Sequence, residues 1–183
     1  MLYLNFTPFP TLITERLVLR QVLSEDVNEV FFLRSNQQVL QFINRSPAAS
    51  AEQAMQWIEK ITLGQSDNAL INWAITLKGE NKMIGNICLW NIQPENNKAE
   101  LGYAMHPNFH GKGIMQEAVE NVVKFGFSEM NLDLIDAYTS PNNAASIHLL
   151  ERNKFIREQV IMEEDEEGNK TWANAIYVLK NPR

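Results

Sequence analysis

Two glycines one residue apart stand in the segment "HGKGIM", just before an apolar pattern of helical period. Gly111 and Gly113 carry no Cβ, so the backbone can bend tightly there and turn successive N–H groups toward one point. The first amides of the following helix add unpaired donors and the positive end of its dipole. The segment therefore predicts an anion site suited to a phosphate, to which Lys112 would add a charge. A turn without a ligand is the alternative.

Neither common nucleotide signature fits this segment. A P-loop places four residues between its glycines and follows them with Gly-Lys-Ser/Thr. A dinucleotide fingerprint requires a third glycine, and Gln116 stands at that position. The phosphate of some other ligand is therefore expected.

Metal and covalent chemistry find little support in the side chains. His106 and His110 have a metal-like spacing only on a helix, and Pro107 with Gly111 opposes a helix there, so we expect no metal site. Cys88 is the only cysteine, which excludes an intrachain disulfide and a cysteine-rich zinc site. Its apolar strand predicts a small core residue, and no neighbour would activate its thiolate.

The surrounding elements alternate unevenly between strands and helices, which predicts an α+β fold rather than a regular βαβ repeat. The strand-like segments are Thr14–Gln21, "INWAITL", "KMIGNICLWNI", "KAELGYAM", Leu132–Ser140, and two closing strands around "FIREQVIM" and "TWANAIYVL". The helical segments run from a Ser24 cap to about Leu33, from about Ser50, from about Gly113 to Phe127, and along "NNAASIHLLERN".

Two local features of the closing segments carry their own expectations. The acidic run Glu163–Asn169 is expected to be the solvated tip of a hairpin, with Gly168 and Asn169 making the turn. Lys154 precedes Phe155 where the backbone is expected to turn left-handed, a conformation that Asn153 could supply instead if the register shifts.

The length and the net charge of the chain limit its domain count and the classes of partner it can bind. A chain of 183 residues without repeats or linkers predicts a single domain over residues 1–183. The net charge of −6 opposes nucleic-acid binding and favours cationic partners. The sequence shows no membrane-spanning run, and its start shows no signal peptide, so a cytoplasmic location is expected.

The order of these elements resembles the GNAT superfamily of acetyl-CoA-dependent N-acetyltransferases. The segments that carry the resemblance cover most of the chain from Thr14 to Tyr177; they are "TERLVLR", "MIGNICL", "AELGYAMHP", "GKGIMQEA" and "NNAASIHLLERNKF". It is closest to the branch that acetylates N-terminal amines of ribosomal proteins, with its spermidine- and drug-acetylating relatives. The resemblance implies a mixed, mostly antiparallel sheet of about seven strands, splayed in a V and flanked by about four helices.

The resemblance also implies where acetyl-CoA binds. The family's pyrophosphate loop reads Gln/Arg-x-x-Gly-x-Gly/Ala, and the chain departs from it only at Asn108. The residues implied to contact acetyl-CoA are Met105 and His106 on the splayed strand, Gly111, Lys112, Gly113, Ile114 and Met115 in the loop, and Asn143. Asn143 could equally be a turn residue.

Two residues are implied to carry the chemistry. Glu100 would be the general base that receives the amine proton, directly or through water; the alternative is a solvent-facing strand carboxylate. The family's usual tyrosine acid is replaced by Leu150. Ser146 is the substitute on the same helix, although a serine there could simply satisfy helix-start amides.

Direct transfer in a ternary complex is expected, because no residue looks like an activated covalent nucleophile. The leading acceptor is a protein N-terminal α-amine, and the alternatives are a polyamine, aminoglycoside or other small amine. A CoA-binding module without turnover is a further alternative. The sequence leaves open whether the chain is a monomer or a homodimer.

Overall fold

The computed structural model describes residues 1–164 and 171–182, and one mixed sheet of eight strands runs through it. The strand order is β1-β2-β3-β4-β5-β6-β8-β7, and every neighbouring pair is antiparallel except β5 with β6. The strands are β1 Leu12–Ile13, β2 Leu17–Gln21, β3 Ile71–Leu77, β4 Gly85–Gln93, β5 Lys98–Met105, β6 Leu134–Thr139, β7 Ile156–Glu164 and β8 Thr171–Lys180.

Five α-helices accompany this sheet in the described residues. They are α1 Val27–Ser35, α2 Gln37–Leu40, α3 Ala51–Ser66, α4 Ile114–Ser128 and α5 Ala144–Arg152. None of these described helices is long and apolar enough to cross a membrane. The α+β class and the antiparallel meander of β3, β4 and β5 confirm the sequence predictions.

The counts exceed the expected seven strands and four helices by one each, because two elements are too short for periodicity to reveal. The predicted strand Thr14–Gln21 begins only at Leu17, because the chain turns before it: the Thr14 N–H donates to the Leu17 carbonyl at 3.1 Å. The chain before it turns back as the two-residue strand β1. Helix α2 is a single turn of four residues.

The observed starts of α1 and α3 agree only in part with the sequence predictions. The helix expected from about Ser50 is α3, and Ser50 caps it, because its hydroxyl accepts from the Gln53 N–H at 3.4 Å. Ser24 does not cap α1: residues Ser24–Asp26 form a 3-10 turn. The Asp26 carboxylate accepts from the Leu23 N–H at 2.9 Å. Asp26 precedes the first residue of α1, and within the described residues no side-chain hydrogen bond caps that helix.

The closing segments also differ in detail. Lys154 itself adopts the left-handed conformation at φ 68°, whereas Asn153 stays at φ −86°. The alternative in which Asn153 supplies that conformation does not occur. Glu164 of β7 pairs with Thr171 of β8. The predicted turn at Gly168 and Asn169 lies outside the described residues.

The sheet is covered on both faces. Side chains alternate along β3, so Trp73 belongs to the core beneath α4 and Ala74 to the core beneath α1 and α3. The first cluster is the larger and includes α4 residues from Ile114 to Val122. The second is smaller and joins α1 and α3 to the sheet.

The functional feature of the sheet is the divergence of β5 from β6. Pairing between them covers only Lys98–Glu100 against Leu134–Asp136, although β5 continues to Met105 and β6 to Thr139. The far part of β5 therefore presents one backbone edge to the opening of a V. An edge of this kind can hydrogen-bond an extended ligand as a further strand would.

Candidate active site

The two glycines stand where the chain enters α4. Gly111 and Gly113 have φ of +71° and +72°, the left-handed region that favours glycine. Gly113 is the residue before the first turn of α4, so the unpaired amides of that helix follow directly. The loop therefore makes a tight left-handed turn directly into a helix start, and the anion site there stays a prediction.

A side-chain network braces this loop from the start of β2. Arg16 donates from Nη1 to the Lys112 carbonyl at 2.9 Å and from Nε to Glu117 Oε2 at 2.6 Å. Glu117 lies in the first turn of α4 and also accepts from the Thr14 hydroxyl at 2.5 Å. Burial alone would raise the pKa of Glu117, but the hydrogen bonds from Thr14 and Arg16 hold it below its usual value. The carboxylate therefore stays charged and fixes the loop.

A groove of about 530 Å³ leads from the loop along β5. Seven of the ten predicted site residues line it: Met105, Gly111, Gly113, Ile114, Met115, Asn143 and Ser146. They come from the edge of β5, the start of α4 and the start of α5. The groove thus joins the anion loop to the open side of the V.

Two predicted cofactor residues lie outside the groove wall. The His106 ring stacks on Phe32 with 4.3 Å between centroids, and its backbone N–H donates to the Ile84 carbonyl at 2.9 Å. The Lys112 ammonium lies 5.4 Å from the centroid of the Phe109 ring. The described residues contain no cluster of three or more His, Cys, Asp or Glu that could hold a metal ion.

Asn143 and Ser146 lie at the start of α5, where the sequence left open which of them satisfies the first amides of the helix. Asn143 caps the helix, since its Oδ1 accepts from the Ser146 N–H at 3.1 Å. The Ser146 hydroxyl lies 2.7 Å from the Tyr103 hydroxyl of β5. Burial raises the pKa of Tyr103 to about 12, so its phenol keeps its proton near neutral pH. Leu150, in the place of the family tyrosine, is fully buried in the core.

Glu100 lies on β5 at the last pair before the V opens, where its neighbour on β6 is Asp136. Burial raises the pKa of Glu100 to about 7, and the charge of Asp136 adds to the effect. Asp136 is 2% exposed, and its Oδ2 lies 2.5 Å from the Lys98 ammonium. A carboxyl with a pKa near neutrality can accept a proton and release it again at physiological pH.

A second cavity of about 470 Å³ has Glu100 in its wall. It shares part of its lining with the first groove, namely Ile43, Leu101, Gly102, Tyr103, Ala104 and Tyr138. The two spaces therefore meet along β5, with Glu100 on the side of the second. Cys88 lines this cavity and is only partly buried, which corrects the expectation of a core residue. Although the residue as a whole is partly exposed, the atoms around its sulfur exclude water there and raise the pKa of the thiol to about 12, so it stays a thiol.

Sequence reasoning missed the side chains that long-range pairing brings here. The sequence analysis assigned no role to the side chains of Tyr103 and Asp136, since each meets its partner from a distant segment. The available signal was an acid within the otherwise apolar strand "LIDAYT". The bracing by Arg16 had no local signal, because Glu117 lies 101 residues away.

Comparison with known proteins agrees with this geometry. The acetyltransferase (GNAT) domain family matches residues 16–156. The chain is 29% identical to the uncharacterized N-acetyltransferase YoaA of Bacillus subtilis over 96% of this chain and 99% of that protein. It is 33% identical to the uncharacterized N-acetyltransferase p20 of Bacillus licheniformis over 82% and 85% of the two chains.

Solved structures repeat the fold. A GNAT-family acetyltransferase from Bacillus anthracis superposes with a TM-score of 0.81 at 26% identity, covering 93% of this chain and 98% of that one. RimL, a ribosomal L7/L12 α-N-protein acetyltransferase solved in complex with coenzyme A, gives a TM-score of 0.81 at 21% identity, covering 93% and 98%.

The chain therefore belongs to the GNAT acetyltransferase family, and it is an N-acetyltransferase. The splayed sheet and the glycine loop are the parts of this chain that suit such an enzyme.

Proposed function

We propose that the protein transfers the acetyl group of acetyl-CoA directly to a primary amine, and that this amine is the α-amine of a protein N-terminus. The observation that carries the proposal is the meeting of two cavities along β5, with the glycine loop at the end of one and Glu100 in the wall of the other. This arrangement brings a donor and an acceptor together without a covalent enzyme step.

The residues of the first groove suit acetyl-CoA. A Cβ at Gly113 would lie 3.4 Å from Arg16 Nη2, which leaves little room for a larger side chain beside the loop. Backbone amides from Gly111 to Met115 would hold the pyrophosphate, and the open edge of β5 would pair with the pantetheine amides. Acetyl-CoA supplies an activated thioester, and the protein supplies orientation and proton transfer.

Two proton transfers are assigned to side chains of β5. Glu100 would take the amine proton at Oε1 or Oε2, directly or through one water. Tyr103, supported by Ser146 at 2.7 Å, would give a proton to the departing sulfur. Tyr103 holds its proton more tightly than a thiol, and it therefore stays protonated until negative charge develops nearby.

The pKa of Glu100 favours the α-amine as acceptor. Its value of about 7 lies near the range of about 7.7–8.0 that is usual for an α-amine and far from the 10.4 of a lysine-like amine. The structure of RimL with coenzyme A belongs to an enzyme named for protein α-amines, which is consistent with this choice. A small amine is the second candidate, and the modest size of the second cavity, about 470 Å³, favours it.

The test is Glu100→Gln, assayed for release of the CoA thiol with N-terminal peptides at several pH values. Loss of a general base is expected to lower kcat by about 10²–10⁴ with little change in acetyl-CoA affinity. For the unchanged protein, kcat/KM should rise as the pH passes about 7 and Glu100 loses its proton. The variant should keep only the rise caused by deprotonation of the amine. A variant that loses only acceptor affinity, with an unaltered pH profile, would make Glu100 a substrate-positioning residue.

A further inference from the structure

The second cavity, of about 470 Å³, is called the acceptor-side cavity because the proposed base Glu100 lies in its wall. Its charged residues are mostly cations, which is unusual for this acidic chain. The charged residues in its wall are Arg34, Arg45, Lys60 and Glu100, which are three cations and one carboxyl. The whole protein carries a net charge of −6. The local excess of cations is therefore the opposite of what the composition would place there at random.

Two of the cations are partly buried and lack an acidic partner within residues 1–164 and 171–182. Arg45 reaches only the Leu33 carbonyl, at 3.5 Å from Nη2, and its Nε is shielded from solvent without a hydrogen-bond partner in this part of the chain. The guanidinium of Arg34 lies 4.9 Å from the centroid of the Trp57 ring. No ion pair of the described residues includes either arginine.

The two guanidinium groups also lie within each other's field. Burial lowers the pKa of Arg34 to about 10, and the charge of Arg45 contributes to the shift. Two like charges held close together in partly buried positions destabilise a fold unless an anion compensates them. Arg45 contacts the Leu33 carbonyl near the end of α1, and Arg34 contacts the ring of Trp57 on α3; neither of these groups is an anion.

Glu100 and the two arginines come from different elements of the cavity wall. Cys88, Glu100 and Arg45 line the same cavity, with Glu100 on β5 and Arg45 in the segment after α2. One side of the cavity thus offers a base beside β5, and another offers two guanidinium groups. If the amine of an acceptor lies at Glu100, the rest of that acceptor molecule can extend toward the guanidinium groups of Arg34 and Arg45.

We propose that the acceptor carries a carboxylate or phosphate on the same molecule as its amine, and that Arg34 and Arg45 bind this oxyanion while the amine meets Glu100. Arginine presents several N–H donors in a plane that matches such an oxyanion. The inference rests on the proposed transferase function and narrows its substrate class. It disfavours a polyamine, whose positive charges would meet Arg34, Arg45 and Lys60.

Matched amines test the proposal. The pairs are the dipeptide amides Ser-Asp and Ser-Asn, alanine and alaninamide, and phosphoethanolamine and ethanolamine, with spermidine as the polycation. At saturating acetyl-CoA, the anionic member of at least one pair should give a kcat/KM about 10-fold or more above its neutral partner. The pair that responds identifies the source of the anion: an acidic N-terminal peptide, a free amino acid or a phosphorylated amine.

Substitutions then assign the effect to the arginines. Arg45→Gln and, as a second variant, Arg34→Gln should lower kcat/KM for the anionic acceptor by about 10- to 100-fold, mainly through KM. They should leave the neutral acceptor and the acetyl-CoA affinity unchanged. Lys124→Gln, which removes an exposed cation of α4 outside both cavities, is the control and should preserve the preference.

The outcomes separate this inference from the function on which it rests. Equal rates with anionic and neutral amines would overturn the inference and leave the transferase assignment standing. Absence of CoA release with every amine would count against the proposed function. Calorimetric titration of the same amines onto the CoA-bound protein then decides the inference: anion-selective binding lost in Arg45→Gln supports it, and unselective or absent binding overturns it.

Discussion

Glu100 is held in a state that costs stability, and this cost can be measured. Its pKa rises from 4.5 to about 7 because of burial and the charge of Asp136. The folded state therefore binds the proton more tightly than the unfolded chain. The corresponding stability is fully present below about pH 4.5 and is lost as the pH rises through about 7.

Glu100→Gln, which cannot ionise, should consequently be more stable than the unchanged protein at pH 8 but not at pH 5. The expected gain is about 1 kcal/mol, because solvent reaches part of this side chain and screens its charge. Urea unfolding at the two pH values measures it. Glu95→Gln, at an exposed position before β5, is the control. A gain of the same size at both pH values would show that the carboxyl is not destabilised by ionisation.

Tyr103 and Ser146 form the second pair of interest at this scale. Tyr103→Phe should lower kcat by roughly 10²-fold, because it removes the group assigned to protonate sulfur, and should leave the affinity for acetyl-CoA nearly unchanged. Ser146→Ala should have a smaller effect, and the double variant should lose less than the sum of the two in free energy.

Tyr177→Phe is the matched control for that series. Tyr177 is 1% exposed on β8 and lines neither cavity, so its hydroxyl can affect stability without affecting proton transfer. Steady-state assays and melting temperatures distinguish the two effects. If Tyr103→Phe behaves like Tyr177→Phe, with normal kcat and a lower Tm, the pair at 2.7 Å is a structural contact.

The site residues divide by whether a local signal announced them. Gly111 and Gly113 were found from spacing alone, and Glu100 and Ser146 from the family resemblance. The role of Tyr103 depends on contact with α5, 43 residues away, and the environment of Glu100 depends on the register of β5 against β6. Such properties arise only when distant segments pair, so no local window contains them.

At the scale of elements, the glycine loop is proposed to bind acetyl-CoA through its backbone amides. Gly113→Val should abolish measurable binding of acetyl-CoA, because a branched side chain at φ +72° strains the turn and crowds Arg16. Calorimetry measures the binding, and circular dichroism should remain unchanged.

Gly79→Val separates strain from binding. Gly79 has φ +82° in the turn between β3 and β4, and a Cβ there would meet nothing within 4 Å. Its substitution should cost about 1–2 kcal/mol of stability without altering the affinity for acetyl-CoA. Normal affinity in Gly113→Val, or an equal loss in both variants, would remove the loop from the proposed cofactor site.

The elements themselves were predictable in proportion to their length. The helices from Ser50 and from Gly113 and the meander of β3 to β5 showed clear periods, and the structure confirms them. Strand β1 and helix α2 are too short to show one. Ser24 does not cap α1 because residues Ser24–Asp26 form a separate 3-10 turn. Asp26 of this turn pairs at 2.7 Å with Arg20, which lies on β2 outside the predicted helix.

The whole molecule shows why net charge is a weak guide to a binding site. The charge of −6 suggested cationic partners, but the acceptor-side cavity gathers Arg34, Arg45 and Lys60. These cations come from α1, the segment after α2, and α3, which the fold brings together on one face of the sheet. The acidic excess lies elsewhere, so the cavity and the average surface favour opposite partners.

The two faces of the sheet should also differ in local stability, with consequences for the two ligands. Helices α1 and α3 pack on the smaller core cluster, whereas α4 packs on the larger one. Regions with fewer buried apolar contacts open more readily. Amides of α1 and α3 should therefore exchange hydrogen about 10-fold or more faster than those of α4, which corresponds to an opening free energy lower by about 1.4 kcal/mol.

Hydrogen exchange with each ligand completes this last prediction. Acetyl-CoA should slow exchange at Gly113 and the first turn of α4, because its phosphates would occupy those amides. Addition of an anionic amine to the CoA-bound protein should slow exchange at the end of α1 around Arg34, where the guanidinium pair would become neutralised. Peptide-resolved exchange followed by mass spectrometry measures both effects, and Arg45→Gln should abolish only the second. Two results would contradict this prediction: equal exchange in α1, α3 and α4, or protection that does not depend on which ligand is added. Either would mean that the α4 side, proposed to bind acetyl-CoA, is not more stable than the α1 and α3 side, proposed to bind the acceptor.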